Sequence, residues 1–580
     1  VWFNGKKVAE MDYGYLGCEA DITKYVNYNG ENVVAVYTST GEKDGQRWYT
    51  GGGLFRDVHL VIKDTVSIAR HGIFITTPKV SEVNVQVELE GISNKQLDVE
   101  IDVVIFSPNG EQVAESRIFA PKGRKTKTVE IPLPVIAVAA PLLWSCETPH
   151  LYTAEVCVKH GGKIVDRVIE TFGIRTIEFS PKFGLHVNGE KVFLKGVAGH
   201  HDLGALGAAV YDKAVERFFK QLKAFGVNSI RLTCNPYSES FMDMADKYGI
   251  LIIDELCDKW CGGRYWPGKT SFFESFHTII PEWIKRDRNH PSVLLWSLGN
   301  ELQMREELAG FPTGDWGVTT YKILDILVKR YDPTRKTTVA MFPSRADGIN
   351  KHDPGFKTNY NAPEYWGAVE YWGETSGWPR KGWTYSYFNH ALNPYPQAYV
   401  MKSLFCDEPL VHIGVVDNER EAMELNDIIV GREPVSSHWN RTPGSNLNLF
   451  TYTNAEEVEL IVNGKSLGVK KNGAAGDKNR NMILWKDVPY GKGGKVVAIA
   501  RSQGNEVARH HLETTGKAIA LKMEAEGGDW LADGMDIQYV RLYAVDNKGR
   551  VVPTFNGEVV FDVSGAARLI AVDNGDHSTD

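Results

Sequence analysis

A change of hydrophobic period near residue 190 limits the fold of this chain more than any other feature of its sequence. From about 190 to 405, apolar stretches typical of strands alternate with amphipathic stretches of helical period. The strand-like stretches are KVFLKGVAGH (191–200), VNSIRLT (227–233), ILIIDEL (250–256), VLLWSLGNE (293–301) and TTVAMF (337–342). The helical patterns cover 211–226, 238–249, 274–288, 317–331 and 395–405. This alternation predicts a parallel sheet with crossover helices, compatible with an eight-stranded (β/α) barrel, the TIM barrel.

The regions on both sides of this segment have the short, turn-bounded apolar stretches of all-β domains. Before it, strands are predicted at 32–38, 57–63, 83–91, 97–106 and 154–160. After it, AEEVELIVNGKSLG (455–468) predicts a hairpin that turns at Asn463-Gly464 and pairs with KVVAIARS (495–502). YVRLYAVDNKGRVVP (539–553), with a turn at 546–549, and GEVVFDVSG (557–565) predict further strands. The fold class is therefore a multidomain protein in which β-sandwich domains flank a central TIM barrel.

The length of 580 residues is that of several domains rather than one. The expected domains are 1–64 and 65–180 (both β), 181–405 (the barrel), 406–517 (β) and 518–580 (β). Val1 lies within a strand-like stretch, and the final residues form no closing element. The first and last domains are therefore expected to be incomplete, and a signal peptide cannot be judged.

Composition excludes several classes of function. The 65 basic and 73 acidic residues give a net charge of −8, which argues against a nucleic-acid or anionic-membrane partner. No apolar run is long enough for a membrane helix. The seven cysteines are scattered and odd in number, which fits buried thiols better than a disulfide framework. Cys257 and Cys261 lack a second pair that would complete a zinc site, so no metal or cofactor is predicted.

In a barrel of this kind, functional residues lie at the C-terminal ends of the strands. Those ends carry His200-His201-Asp202, Arg231 with Cys234, Asp254-Glu255, and Asn300-Glu301. None of these strand ends carries a phosphate-binding GxGxxG or P-loop, HExxH does not occur in the sequence, and no Ser or Cys stands in a nucleophile-elbow context, so the remaining chemistry is that of carboxylates. A pair of carboxylates is what hydrolysis of a glycosidic bond requires.

Each candidate also has a structural interpretation. Glu301 follows a buried apolar run and is the strongest candidate for a general acid, but it could simply start a helix. Asp254 and Glu255 could cap the next helix or hold Arg231 in place. The histidine pair could be a solvated loop or a satisfied structural pair.

Several segments of the sequence resemble those of a known protein family. RDRNHPSVLLWSLGNE (286–301) resembles the acid/base segment of glycoside hydrolase family 2, which includes β-galactosidases, β-glucuronidases and β-mannosidases. Further segments resemble the family in the family's order. They are RWYTGGGLFRDVHL (47–60), LLWSCETPHLYTAEV (142–156), TFGIRTIEF (171–179), FLKGVAGHHDLGALG (193–207), FGVNSIRLTCNPYSESFMDMADKYGILIIDE (225–255) and NAEEVELIVNGKSLG (454–468). The resemblance covers nearly the whole chain and implies a jelly-roll-like first domain and immunoglobulin-like domains around the barrel.

The resemblance implies a retaining exo-β-glycosidase with a carbohydrate substrate, in which Glu301 is the general acid/base. HHDLGALG (200–207) is similar to the β-galactosidase-like branch. By the resemblance, the sugar subsite would be lined by His201, Asp202, Arg231 and Asn300, with Trp378 as an aromatic wall. The family usually has a histidine where this chain has Cys234, which puts that polar contact in doubt and could indicate an unusual substrate.

Alternatives stay open. A β-glucuronidase of the same family is one, because Arg380-Lys381 beside Trp378 could meet an acidic sugar. A catalytically silent carbohydrate-binding protein on the same fold is another. A homo-oligomer is compatible with the sequence, and degradation of polysaccharide would fit a periplasmic or secreted location.

The second carboxylate of a retaining enzyme is not identifiable. In this family it ends the seventh barrel strand, but only 23 residues separate Phe342 from Trp366, where a stretch (366–374) resembling the eighth strand begins. Two βα units do not fit in that space. We therefore expect that a stretch within 343–365 is absent from this chain and that it carries the nucleophile.

Overall fold

The computed structural model describes residues 1–39, 52–92, 98–120, 128–180, 182–260, 270–300, 318–340, 387–389, 391–417, 424–425, 428–429, 435–477 and 479–574. These residues form two compact units. The first comprises the described parts of 1–39, 52–201 and 227–340, and the second those of 202–226 and 387–574.

The first unit begins with a small antiparallel sheet and a β-sandwich. The small sheet contains β1 (Trp2–Phe3), β2 (Lys6–Lys7) and β3 (Val34–Ala35). The strands of the sandwich are β4 (Ser67–Lys79), β5 (Glu82–Glu90), β6 (Val99–Phe106), β7 (Gln112–Phe119), β8 (Thr128–Pro132), β9 (Ile136–Ala137), β10 (Tyr152–His160) and β11 (Lys163–Phe172). One sheet has the order β4-β5-β8, with β9 beside β5, and the other has the order β11-β10-β6-β7. Their inward-facing Val and Ile side chains form one continuous buried core.

A three-stranded sheet, β12 (Ile177–Ser180), β13 (Gly184–Val187) and β14 (Glu190–Lys191), leads into the parallel sheet. That sheet contains β15 (Gly196–Gly199), β16 (Ser229–Leu232), β17 (Leu251–Glu255), β18 (Val293–Asn300) and β19 (Lys336–Ala340), hydrogen-bonded in this order. The helices of this region are α1 (Asp212–Ala224), α2 (Glu239–Tyr248), α3 (Phe272–Asp287) and α4 (Val318–Tyr331), of which α1 belongs to the second unit. The sequence-predicted alternation of strands and helices is confirmed over 196–340.

Helix boundaries in this region follow from local chemistry. The Ser238 side chain caps α2 by accepting a hydrogen bond from the Phe241 N–H. Gly249 ends the helix at φ 65°, in the left-handed region that suits glycine. Ser271 and Glu274 form a reciprocal capping box at the start of α3. These caps fix where β16 and β17 meet their following helices, and therefore where the loops at the C-terminal ends of the strands lie.

The second unit contains α5 (Ala398–Phe405) and β domains. Its strands are β20 (Val411–Val416), β21 (Glu424–Leu425), β22 (Ile428–Ile429), β23 (Val435–Ser436), β24 (Asn446–Thr453), β25 (Glu457–Val462), β26 (Lys465–Lys471), β27 (Met482–Pro489), β28 (Lys495–Ser502), β29 (Asn505–Glu513), β30 (Ala520–Ala525) and β31 (Val540–Val545). The sheets β23-β20-β24-β27 and β26-β25-β28-β29 enclose a second buried core. The hairpin at Asn463-Gly464 and its pairing with 495–502 are confirmed.

Three predicted strands are wrong in whole or in part. Only Val34–Ala35 of 32–38 is a strand, and neither 57–63 nor 557–565 forms one. Alternation of apolar residues records a preference for extended backbone, whereas a strand also needs a hydrogen-bonding neighbour. Within the described part of the chain, no segment pairs with 57–63 or 557–565.

Candidate active site

A buried ion pair lies at the C-terminal end of the parallel sheet. Glu255 is the last residue of β17 and is fully buried. Arg231 on the adjacent β16 donates through Nη2 to Glu255 Oε1 at 2.8 Å and through Nε to Oε2 at 3.1 Å. A two-point contact of this kind fixes the plane of the guanidinium as well as its position.

The Glu255 carboxylate accepts two further hydrogen bonds. Ser297, its register partner on β18, donates through Oγ at 2.7 Å. The Cys234 backbone N–H, in the loop after β16, donates at 2.7 Å. Cys234 has φ 71°, in the left-handed region that non-glycine residues seldom adopt. Glu255 therefore joins three successive strand ends, and it acts as the anchor of this site.

Asn300, the last residue of β18, is held from both sides of its amide. Its Oδ1 accepts from Arg231 Nη2 at 2.6 Å, and its Nδ2 donates to Asp258 Oδ1 at 2.9 Å. Lys259, itself buried, donates to the Asn300 carbonyl at 3.0 Å. The orientation of the amide and the position of the Asn300 carbonyl are thus set by a charged network.

The members of this network differ in exposure. Glu255, Asp258 and Lys259 are almost completely buried, whereas 23% of the Arg231 side chain is accessible to solvent. The accessible guanidinium is a donor that suits the oxygen atoms of a polar ligand. Glu255 balances the positive charge of Arg231. A neutral ligand can therefore bind at the site without leaving a buried charge unpaired.

His201 follows β15 and is buried beside the loop after β16. Its Nε2 lies 3.2 Å from Ser238 Oγ, and its ring makes an edge contact with Tyr237 at 5.0 Å. Tyr237 in turn donates its hydroxyl hydrogen to the Gly199 carbonyl. Burial, and after it the positive charge of Arg56, lowers the pKa of His201 to about 3. His201 is therefore a neutral imidazole near neutral pH.

Asp254 and Glu255 are adjacent in sequence but face opposite sides of the sheet. Asp254 accepts from Trp283 Nε1 of α3 at 2.7 Å, on the helix side. Burial, and after it the negative charge of Asp287, raises the pKa of Asp254 well above its usual range. Asp254 is therefore a structural carboxyl group on the helix side, whose charged form burial disfavours, and only Glu255 belongs to the site.

The structure brings together Arg231 and Asn300 of the predicted site residues. His201 lies in the loop after β15, one sheet position from Arg231. In the second unit, Asp202 accepts from the Gly204 N–H at 3.0 Å. Glu301 and Trp378 lie outside the described residues, as does the expected join within 343–365.

Sequence reasoning missed Ser297, Asp258 and Lys259 as members of the network. The pair at 258–259 carried a weak signal, since opposite charges stand side by side three residues after a buried strand. In the described part of the chain, His, Cys, Asp and Glu nowhere group in threes suited to a metal ion. None of the described helices has the length and apolarity needed to cross a membrane.

Four family models match this chain. They are "Glycosyl hydrolases family 2" at residues 66–175, "Glycosyl hydrolases family 2, TIM barrel domain" at 182–342, a domain of unknown function at 444–508 and "Glycoside hydrolase family 2 C-terminal domain 5" at 521–580.

Similar proteins and structures cover nearly the whole chain. The β-galactosidase BoGH2A of Bacteroides ovatus is 28% identical over 99% of this chain and 78% of its own length. A putative β-glucuronidase of Formosa agariphila is also 28% identical, over 99% of this chain and 61% of its own length. The crystal structure of a glycosyl hydrolase family 2 member from Bacteroides cellulosilyticus is 30% identical, with a TM-score of 0.81, 95% of this chain covered and 77% of that one.

Proposed function

Because the chain belongs to glycoside hydrolase family 2, we propose that it is a retaining exo-β-glycosidase, and most specifically a β-galactosidase. It would remove sugars from the non-reducing ends of oligo- or polysaccharides, in a periplasmic or secreted setting. The relative BoGH2A, which aligns with 99% of this chain, is named a β-galactosidase and supports this choice of sugar.

The observation that carries the proposal is the doubly held Asn300 at the end of β18. Arg231 and Asp258 fix its amide, and the next residue in the chain is Glu301. In the proposed mechanism Glu301 protonates the oxygen of the leaving group in the first step. It then removes a proton from water in the second step, when the glycosyl-enzyme is hydrolysed.

The network around Arg231 supports a sugar subsite. The accessible guanidinium and the Asn300 amide provide donors to hydroxyl oxygens of the ring, held in place by Glu255 and Asp258. Hydrogen bonds to ring hydroxyls that strengthen in the transition state supply part of the rate enhancement of glycosidases. His201, Asp202 and Trp378 are proposed to complete the lining of the subsite.

We place the nucleophile in a stretch that this chain lacks between residues 343 and 365. The alignment with BoGH2A spans 686 positions, whereas 99% of 580 residues is about 574, so about 112 positions of the alignment have no residue of this chain. The combined length of these gaps, wherever they fall along the alignment, exceeds that of two βα units of the barrel. Sequencing the gene across this interval tests the assignment, which requires a strand ending in Glu.

The proposed activity is tested with chromogenic β-galactoside, β-glucuronide and β-mannoside substrates, using protein expressed from the complete gene. We expect hydrolysis of the β-galactoside. Preference for the β-glucuronide would instead favour the second candidate, which the name of the Formosa agariphila relative supports. A protein that binds these sugars but hydrolyses none would be the silent carbohydrate-binding alternative.

Glu301→Gln tests the role of the general acid. We expect kcat to fall by about 10²–10⁴-fold on a substrate with a poor leaving group. With a dinitrophenyl leaving group, which departs without protonation, the loss in kcat/KM should be much smaller, while kcat stays low because hydrolysis of the glycosyl-enzyme still lacks its general base. The control is Glu147→Gln, at an exposed carboxylate of the first unit. Full activity of Glu301→Gln on both substrates would remove the mechanism.

A further inference from the structure

A segment near the N-terminus contacts two of the loops that carry the candidate site. Tyr13 is fully buried and donates its hydroxyl hydrogen to the carbonyl of Leu256, the residue after Glu255. Arg56 donates through Nη2 to the carbonyl of Pro236, in the loop after β16, at 2.8 Å. All of these residues belong to the first unit.

The same segment is tied together internally and to the start of α3. Arg56 also donates to the carbonyl of Tyr15, and the rings of Tyr13 and Tyr15 make an edge contact at 5.4 Å. Asp12 accepts a hydrogen bond from the Thr270 N–H at 2.7 Å. Asp12, Tyr13, Tyr15 and Arg56 are called the N-terminal clasp here, and together they contact the two loops and Thr270, just before α3.

The clasped loops are those on which the site depends. Cys234, two residues before Pro236, gives its N–H to Glu255 while held at φ 71°. A strained backbone of this kind persists only where its surroundings fix it. The Leu256 N–H donates to the Ser297 carbonyl of β18 at 2.9 Å, so the position of Leu256 also affects the position of β18. The two carbonyl contacts thus fix the main chain close to Cys234, which donates to Glu255, and next to Glu255 itself.

The Arg56 guanidinium lies in surroundings that make its contacts stronger and more specific. Burial, and after it the nearby charge of Arg286, lowers the pKa of Arg56 to about 9. In a low local dielectric, the hydrogen bonds of a buried guanidinium to main-chain carbonyls are stronger than they would be in water. Its hydrogen bonds therefore keep the loop after β16 in one conformation.

We infer that Arg56 and Tyr13 are positioning residues of the glycosidase reaction, which fix the Glu255–Arg231–Asn300 network through the main chain of two loops. This inference rests on the proposed function for its effect on catalysis, but not for its effect on the loops. Displacements of about 1 Å in such a network reduce rates by about 100-fold.

Two buried thiols report on the two loops separately, without any substrate. Cys234 lies in the loop held by Arg56, and Cys257 in the loop held by Tyr13. We expect Arg56→Met to increase the alkylation rate of Cys234, and Tyr13→Phe that of Cys257, each by about tenfold or more. Peptide-resolved mass spectrometry after brief exposure of native protein to N-ethylmaleimide gives both rates. Cys146 and Cys157, buried elsewhere, are the internal references.

Matched control variants remove a guanidinium and a tyrosine hydroxyl at positions distant from the candidate site. Arg117→Met deletes a guanidinium paired with Asp102, and Tyr152→Phe deletes a buried hydroxyl that accepts from the Leu142 N–H. We expect kcat/KM to fall by about 10–100-fold in Arg56→Met and Tyr13→Phe but not in the controls. Arg56→Lys, which keeps a charge and one donor, should recover part of the loss.

The outcomes separate this inference from the proposed function. Unchanged labelling of Cys234 and Cys257 overturns it, as does an unchanged kcat/KM in an active enzyme. Equal acceleration at all four cysteines overturns it too, since that result means general destabilisation. If the wild-type protein hydrolyses no glycoside, the proposed function fails, and site-specific labelling alone then decides whether the clasp holds the loops.

Discussion

The two ends of the parallel sheet use the same residue types for different purposes. At the N-terminal end, Arg335 donates to the carbonyls of Val293 and His290 at 2.8 and 2.9 Å and to Asp332 at 2.8 Å. Arg175 donates to the Val293 carbonyl at 2.9 Å and also to that of Pro291. At this end the guanidinium groups satisfy main-chain carbonyls where strands begin, and only 9% of the Arg335 side chain is exposed.

At the C-terminal end, the hydrogen bonds of Arg231 to residues that the structure describes go to side chains. Its partners are Glu255 and Asn300, and it remains 23% exposed. An arginine that donates mainly to main-chain carbonyls stabilises the fold. An arginine that is held by side chains and remains partly exposed to solvent can also bind a ligand. This difference agrees with the general division of barrels into a stabilising and a functional end.

The largest expected effect distinguishes the two adjacent carboxyl groups at the C-terminal end of β17. Glu255→Gln removes the charge that balances Arg231, so we expect the free energy of unfolding to fall by about 3–5 kcal/mol. Asp254→Asn replaces a carboxyl group whose charged form burial already disfavours by an isosteric amide and should change the free energy of unfolding by less than about 1 kcal/mol. Thermal and denaturant unfolding, with kcat/KM measured well below the transition, compare the two variants. Similar losses in both would show that the two carboxyl groups are not functionally distinct.

The next prediction exchanges one arginine at each end for lysine. Arg231→Lys keeps the charge opposite Glu255 but loses the fork that also reaches Asn300, so kcat/KM should fall by about 10–100-fold with little change in stability. Arg335→Lys leaves buried carbonyls without donors and should cost about 1–3 kcal/mol of stability with little change in kcat/KM. Each variant is the control for the other. Loss of activity in Arg335→Lys beyond its loss of folded protein would contradict the division between the ends.

The sequence predicted the order of strands and helices between 196 and 340 well, because each element there carries a local signal. Buried strands are continuous apolar runs, and Ser238 and Gly249 mark the ends of α2. It also placed Arg231 and Asn300 at the correct end of the sheet. The prediction that Glu301 is the general acid, by contrast, stays a prediction.

What the sequence could not predict depends on contacts between distant segments. Because β17 is buried on both faces, no alternation shows which of Asp254 and Glu255 points inward. The left-handed backbone of Cys234 follows from its hydrogen bond to Glu255, 21 residues away. The strand predicted at 57–63 failed for the same reason, since its apolar alternation contains no information about a partner.

The smallest expected effect concerns two histidines, one at each end of the sheet. Burial alone would lower the pKa of His290, but the negative charge of Asp246, whose Oδ2 lies 2.6 Å from His290 Nδ1, raises it to about 10. A histidine with a folded-state pKa raised above the ordinary value of 6.5 stabilises the fold fully below pH 6.5. That contribution is lost as the pH rises toward 10. His201, with its pKa lowered to about 3, has the opposite effect on stability. Below pH 6.5 the unfolded chain binds a proton at this histidine and the folded protein does not, so acidification destabilises the fold.

The melting temperatures of the wild type, His290→Asn and His201→Gln, measured from pH 4 to pH 10, test this contrast. Asn at position 290 retains a donor toward Asp246 but does not titrate. The difference between wild type and His290→Asn should be greatest below pH 6.5 and shrink from there to pH 10. The difference between wild type and His201→Gln should be constant above pH 6.5 and shift against the wild type as the solution is acidified. If both differences changed in the same pH window, the two ends of the sheet would not hold their histidines in opposite charge states, and the electrostatic part of the comparison would fail.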